Sequence, residues 1–455
     1  MKALSKTMIS IFGMGRVGLV TAVCFARKGY SVTGIDPDKE RLRMIRETKP
    51  VFFEHSLLEY QKDAIESGNL SVTDDPSLSA ESHLVYVTVP TPSNEDGSIN
   101  LEYLKKATTS IGRSLRESHE HQIVLIKSTV TPGTARNVVK PIVERESKRV
   151  VGRDFGLCTN PEFLREGNAV HDTEFPDRII VGSDHAKTLK VVTDFYKDLY
   201  GQSIPPIVST THENAEIIKY ANNSFLAMKV SFINTFANIA ERMPGGDVKT
   251  IATGIGLDDR ICPKFLNAGL GWGGSCFPKD LNALLAYSKT LGYDPHLIEA
   301  TVETNNQQKR RAVEIAKEAL GSLDGKRVAI LGLSFKPQTD DMRDAVSVEV
   351  IKALLAEGAS VVAYDPASER NARAIFGNSV SYAKDIVSCI SDADCCIVAT
   401  EWPEIAQMRP RTFLKLMHQP VVIDGRRVFE AKDFLQMGVR LFAIGLGHAQ
   451  TYTPR

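Results

Sequence analysis

"MISIFGMGRVGLVTAVCFARKGYSVTGID", from Met8 to Asp36, changes texture three times along its length. Met8–Phe12 is a short apolar run of strand character. Gly13, Gly15 and Gly18 follow in the spacing G-x-G-x-x-G, and Val17 to Gly29 then reads as a helix with Gly29 as its stop. Ser31 to Asp36 is a second strand that ends in an acid. Strand, glycine turn, helix, strand and acid in that order predict a βαβ nucleotide unit. The glycines allow a tight turn, close approach of a pyrophosphate, and close helix–strand packing. The helix N-terminus then faces the phosphates. Asp36 is placed to accept hydrogen bonds from a ribose hydroxyl, and its charge would repel a 2′-phosphate, so the expected dinucleotide is NAD rather than NADP.

Further along, "LVYVTV" (Leu84 to Val89) and "IVLIK" (Ile123 to Lys127) read as two more buried parallel strands. The alternation predicts a doubly wound sheet. From about Thr210 to Gln308 the texture turns helical. Glu213 to Met243 carries no Gly and no Pro and has apolar residues at helical spacing, which predicts one long helix whose apolar face serves a homodimer. After Gly325 the strand pattern returns in "KRVAILGL", "SVVAYDP", "CCIVAT", "PVVIDG" and "RLFAIGL". The first turn of that half, "LGLSFKPQTDD", lacks the glycine spacing, so it binds a different nucleotide or holds its ligand by side chains. The expected fold is therefore α/β, with two doubly wound Rossmann-like domains joined by a long central helix and a helical dimerisation region. The expected boundaries are 1–208, 209–318 and 319–455.

Composition narrows the function classes. At roughly 150 residues per domain, 455 residues make two or three domains. Lys+Arg 55 balances Asp+Glu 55, which removes the broad positive footprint of a nucleic-acid binder. No apolar run approaches the length of a membrane span, and Arg16 and the glycines interrupt the one stretch that resembles a signal-peptide core. Seven scattered cysteines, Cys395 and Cys396 adjacent among them, form neither a disulfide ladder nor a metal pattern. A reducing cytoplasm fits best.

Several stretches carry candidate chemistry. "TVPTPSNEDG" and "KSTVTPGT" each lie just past a strand, where open α/β sheets bind ligands, and Thr91 and Thr129 offer hydroxyls there. As residues alone, they are equally well Pro-stiffened loops. "TNPEFLREG" reads as a short helical turn with Glu162 and Glu166 on one face. Lys219 and Asn223 share a helix face at i, i+4, although such pairs are commonly solvated. "GWGGSCFPKD" (Gly271 to Asp280) is more pointed. Pro278 suits the first turn of a helix, so Cys276 would sit at a helix N-terminus, where the dipole and free N–H groups favour a thiolate. Lys279 adds positive charge, Asp280 follows one turn on, and the glycines leave room for a substrate. A dinucleotide beside a reactive thiol suggests a defined chemistry. The thiolate adds to an aldehyde, the adduct loses hydride to NAD+, and water hydrolyses the resulting thioester to an acid.

These motifs, with "AEIIKYANNSFLAMK", "FLNAGLG", "MRDA", "TEWPE" and "DGRR", occur in an order that resembles the UDP-glucose/GDP-mannose dehydrogenase family over nearly the whole chain. The resemblance implies oxidation of C6 of UDP-glucose by two NAD+ and water. It assigns Cys276 as nucleophile, with Lys219, Asn223 and Asp280 around the C6 oxygen. Glu162 becomes the base for thioester hydrolysis, helped by Thr129. Gly13, Gly15, Val17, Gly18, Asp36, Arg41, Thr91, Thr129, Glu166, Lys279 and Arg343 would meet the cofactor. Glu162, Phe163, Leu164, Lys219, Asn223, Phe265, Gly273, Phe335, Lys336 and Arg426 would meet the sugar nucleotide, and Arg260 would reach in from a partner subunit. Arg41, Ala268, Trp272 and the Glu54 to Leu57 stretch depart from the family pattern. "GGSCFPKD" favours UDP-glucose over GDP-mannose, and Ser275 counts against UDP-N-acetylmannosamine. A non-catalytic NAD-binding regulator would not be expected to keep Cys276, Lys219 and Asp280 together.

Overall fold

The computed structural model describes residues 7–447. The chain divides into two compact units, one comprising residues up to 222 with 282–291, the other 223–281 with 292 onward. No helix among the described residues is long and apolar enough to cross a membrane.

The first unit is built on β1 (Met8–Phe12), β2 (Ser31–Ile35), β3 (Leu70–Thr73), β4 (Leu84–Val87), β5 (Ile123–Ile126), β6 (Gly156–Thr159), β7 (Ile179–Gly182) and β8 (Ile207–Thr210). They lie in the order β3-β2-β1-β4-β5-β6-β7-β8. All neighbours are parallel except β6 and β7, which meet antiparallel through the pair Thr159 and Gly182. β4, β5, β6 and β7 are buried at every position, as strands covered on both faces must be. Helix α1 (Arg16–Arg27) buries nine residues in a row from Gly18 to Ala26. That explains why the apolar run after the glycines is nearly continuous instead of striped.

The second unit holds a six-stranded parallel sheet made of β9 (Arg327–Leu331), β10 (Ser360–Tyr364), β11 (Ser381–Tyr382), β12 (Cys395–Val398), β13 (Val421–Asp424) and β14 (Arg440–Ala443). Its order is β11-β10-β9-β12-β13-β14. In both sheets the order reverses beside the first strand, which is where such folds open a ligand crevice. The five runs expected after Gly325 are β9, β10, β12, β13 and β14. The long helix is continuous over His212–Ala240.

Candidate active site

The glycine turn after β1 has the close contacts a dinucleotide needs. Gly13 has φ +97°, and a Cβ there would stand 3.0 Å from the Thr88 carbonyl group. A Cβ on Gly18 would come within 1.8 Å of the Gly13 oxygen, so only glycine lets α1 pack this closely. Thr88 pins the turn by donating its hydroxyl to Gly13 O at 2.7 Å. Gly15 caps α1 with no side-chain acceptor, and the first turn, which includes Val17, contains no acid. Its N–H groups therefore suit an anion. Asp36 is buried and accepts from the N–H of Met14 (2.7 Å), the N–H of Asp38 (2.9 Å) and Arg41 Nη1 (2.9 Å). A carboxylate offers about four acceptor positions, which leaves one for a ribose hydroxyl. These residues fit NAD. Thr91 donates to Thr129 O at 2.8 Å and ties the loops after β4 and β5 together. Glu166 stands 3.9 Å from Arg16 at the start of α1.

The stretch "TNPEFLREG" corrects the expectation of a helical turn. Residues 160–165 carry no regular structure, so the helical spacing of Glu162 and Glu166 does not apply. The Glu162 carboxylate accepts the N–H of Leu164 at 2.6 Å, a local bond that competes with helix formation. Its other oxygen accepts from Lys219 Nζ at 2.9 Å, with both side chains buried. Burial alone would raise the Glu162 carboxyl. The charge and hydrogen bond of Lys219, the Leu164 N–H and the charge of Lys127 outweigh it and hold the group below the ordinary range. Phe163 lies between cations, with the Arg178 guanidinium 3.9 Å and Lys219 Nζ 5.3 Å from its ring centre.

The helix Phe277–Thr290 begins immediately after Cys276, and Asp280 donates its N–H to Cys276 O at 2.8 Å. Cys276 is half-buried, whereas Cys24, Cys158, Cys389, Cys395 and Cys396 are buried. Burial pushes the thiols of Cys158, Cys389 and Cys395 up to about 12 and those of Cys24 and Cys396 higher still, so none of these is a nucleophile at neutral pH. Asp280 is buried and accepts from Asn223 Nδ2 at 2.6 Å and from Lys279 Nζ at 2.6 Å. The glycines before the sulfur are steric requirements. A Cβ on Gly273 would fall 2.1 Å from Asp344 O, and one on Gly274 2.7 Å from the Phe335 ring. Trp272, one of the departures from the family pattern, is held by Nε1–H to Ser231 Oγ (3.0 Å) and by its N–H to Asn305 Oδ1 (2.8 Å).

Around this loop opens a cavity of about 690 Å³ whose walls include Phe265, Gly273, Phe277, Phe335, Lys336 and Arg426. That is large enough for a nucleotide-sized ligand. Phe265 has φ 64°, a conformation that costs a bulky residue energy and clusters at ligand sites. The Arg426 guanidinium is braced by Ala399 O at 2.7 Å and Gly271 O at 3.2 Å, with the Glu401 carboxylate 3.4 Å from its Nε. Of the other expected residues, Arg260 and Arg343 are both exposed and fork onto their near neighbours Asp258 and Asp341. Sequence reasoning missed Lys127 and Glu216. Burial raises the Glu216 carboxyl to about 8, although it accepts the N–H groups of Gly133 (2.6 Å) and Ala135 (2.8 Å). Its position three residues before Lys219 was the available signal.

Glu54, another departure, accepts the N–H groups of Gly167 and Ala169, both at 2.8 Å, and so secures the end of the "TNPEFLREG" loop.

Comparison with known proteins places this arrangement. The chain matches the UDP-glucose/GDP-mannose dehydrogenase family in its NAD binding domain over residues 7–200, its central domain over 213–307 and its UDP binding domain over 329–431. It is 40% identical over 439 residues to the UDP-glucose 6-dehydrogenase TuaD of Bacillus subtilis, covering 96% of this chain and 93% of that one. It is also 40% identical over 428 residues to the UDP-glucose 6-dehydrogenase AglM of Haloferax volcanii, covering 94% and 98%. A solved UDP-glucose dehydrogenase from Pyrobaculum islandicum superposes with a TM-score of 0.89 at 35% identity, over 97% of this chain and 98% of that one. The glycine turn, the half-buried cysteine and the cavity beside it are thus features of a chain that belongs to the UDP-glucose/GDP-mannose dehydrogenase family.

Proposed function

We propose that this chain oxidises the C6 hydroxymethyl group of UDP-glucose to a carboxylate, using two NAD+ and one water to give UDP-glucuronate. The observation that carries the proposal is Cys276, half-buried at the start of a helix, beside a nucleotide-sized cavity and one turn from the Asn223–Asp280 pair. Bound NAD+ supplies the hydride acceptor for both oxidations. The residues do the rest. Lys219 and Asn223, one turn apart on one helix, polarise the C6 oxygen, and its proton leaves through a water to the Asp280 carboxylate, which also orients Asn223. The Cys276 thiolate forms a C–S bond to the aldehyde carbon, and the oxygen that becomes negative is held by Lys219 and Asn223. At the thioester stage Glu162 takes a proton from a water steadied by Thr129 as that water attacks the carbonyl carbon. The C–S bond then breaks and sulfur leaves as thiolate.

Phe265, Phe335, Lys336 and Arg426 hold the UDP half, consistent with a cavity whose walls carry both aromatic rings and cations. The working unit is a homodimer of chains divided at 1–208, 209–318 and 319–455. Phe225, Phe232 and Ile239 are exposed at seven-residue spacing along the long helix, an apolar stripe suited to a second copy. Arg260 reaches into the partner's cavity from such a dimer. Seven free thiols suit the reducing cytoplasm. The test is NADH formed per UDP-glucose consumed, in wild type and in Cys276→Ala, with the product weighed by mass spectrometry. Two NADH and UDP-glucuronate, with turnover abolished in the variant, are expected. Full activity in the variant, or fast turnover only with another sugar nucleotide, would overturn the mechanism or the substrate respectively.

A further inference from the structure

Lys127 has no role in the reaction as written above, yet it occupies a central place in the first unit. It directly follows β5. Its N–H donates to Val87 O at the end of β4 (2.9 Å), and on the other side Asn160 donates its N–H to Ile126 O (2.8 Å) at the end of β6. Asn160 is buried and fixed on every side. Its Nδ2 donates to Ile180 O (2.9 Å), and its Oδ1 accepts from Tyr196 OH (2.5 Å) and from Lys127 Nζ (3.4 Å). Glu162 stands two residues beyond Asn160, past Pro161. Two lysines from different elements bear on one buried carboxylate: Lys219 on the long helix bonds it at 2.9 Å, and Lys127 at a strand end adds positive charge from its place beside Asn160, two residues away in sequence. Other groups facing them include the Leu164 N–H, which donates to Glu162, the Cys158 thiol on β6, and the Arg178 guanidinium on the Phe163 ring.

Two ammonium groups beside one carboxylate cost desolvation and mutual repulsion. Burial pushes the Lys127 ammonium down to about 8, with Lys219 adding to the shift and Glu162 opposing it. The reaction supplies a reason for this arrangement. Lys219 is bonded to Glu162 in the structure, and the same ammonium is asked to polarise the sugar oxygen, so it cannot serve both at full strength.

We propose that Lys127 is a positioning residue for the reaction, supplying the counter-charge that keeps Glu162 ionised while Lys219 serves the substrate, and anchoring through Asn160 the strand end from which Glu162 projects. This rests on the reading of Glu162 as the hydrolytic base.

The experiment compares full-length Lys127→Met, Lys127→Gln and Lys127→Arg with wild type, and runs Glu162→Gln alongside. The readouts are the pH profile of kcat, KM for UDP-glucose, and the mass of the acylated protein during turnover. Lys127→Met should move the acid limb of the profile upward by about one pH unit, the low end of what an opposite charge at close range does to a carboxyl. Sugar acid should accumulate on Cys276, with KM within about twofold of wild type. Lys127→Gln keeps a donor for Asn160 and should show the same limb shift, which covers the case where the Met variant fails to fold. Lys127→Arg should keep the wild-type limb. A wild-type profile in both neutral variants would overturn the proposal, as would a loss of kcat equal at all pH values and shared by Lys127→Arg. If Glu162→Gln itself accumulates no acyl-enzyme, the reading of Glu162 fails instead.

Discussion

Replacing Glu162 with Gln separates the second half of the reaction from the first. Both Glu162 oxygens are engaged, Oε1 by Lys219 Nζ at 2.9 Å and Oε2 by the Leu164 N–H at 2.6 Å. Gln has one acceptor oxygen and one NH₂, so either orientation points a donor at a donor. The variant also lacks a base. Loss of a positioned general base slows the step it serves by about 10²–10⁴, or about 3–5 kcal/mol of barrier. Lys219 loses a buried counter-charge, for which breaking such pairs costs about 3–5 kcal/mol of stability, so melting must be followed in parallel. Oxidation to the thioester does not require Glu162 and should survive. In rapid mixing of enzyme, NAD+ and UDP-glucose, the variant should release a burst of two NADH per subunit and then turn over slowly. Intact-protein mass should show the sugar acid attached, and the adduct should vanish in Cys276→Ala/Glu162→Gln. A slowed enzyme with no burst and no adduct would refute the assignment of Glu162 to hydrolysis.

Four further outcomes test the rest of the structure. Gly18→Ala would drive a methyl to within 1.8 Å of Gly13 O and should abolish NAD binding by calorimetry, whereas Gly29→Ala, with open space at its Cβ position, should retain NAD affinity despite the strain of its positive φ. Asp36→Ser removes the acceptor from a buried three-donor site and should raise kcat/KM for NADP relative to NAD by about tenfold or more. Phe232→Asp places a charge in the exposed stripe and should shift the particle mass to that of one chain in light scattering. Glu216 provides a pH signature. Its folded carboxyl is raised to about 8 against about 4.3 unfolded, so its contribution to stability is full below pH ~4.3 and is lost as pH rises through about 8. Glu216→Gln should flatten that part of the melting temperature against pH.

The parts of the molecule legible in the sequence are those with strong local patterning. β1 runs over the residues expected of it, and the helix at Pro278 begins where its proline suggests. The strands β3, β6, β7, β8 and β11 were not expected. Each spans four residues or fewer, too short for alternation to show, and β8 mixes half-buried and exposed positions. The cysteine was legible because glycines on one side and a Lys-Asp pair on the other are not the apolar neighbours of a thiol that only packs. Lys219 and Asn223 could not be told from a solvated helix face until the fold buried them. Lys127 looked like any lysine at the end of a strand. Only the pairing of β5 with β6 reveals that Asn160, two residues before Glu162, is its neighbour.

The long helix also limits how this chain can vary. From Asn223 onward one side of it, with Asn223, Ala227, Asn234 and Ala237, is buried, while Phe225, Phe232 and Ile239 point outward. One added residue turns everything after it by about 100° and advances it by about 1.5 Å. An insertion after Phe225 would swing Phe232 and Ile239 inward and the buried asparagine Asn234 out toward water, while Asn223 stayed on Asp280. Point substitutions can tune this segment, but its length is fixed. Homologues should differ here in letters and never in count, with insertions confined to the loops at either end.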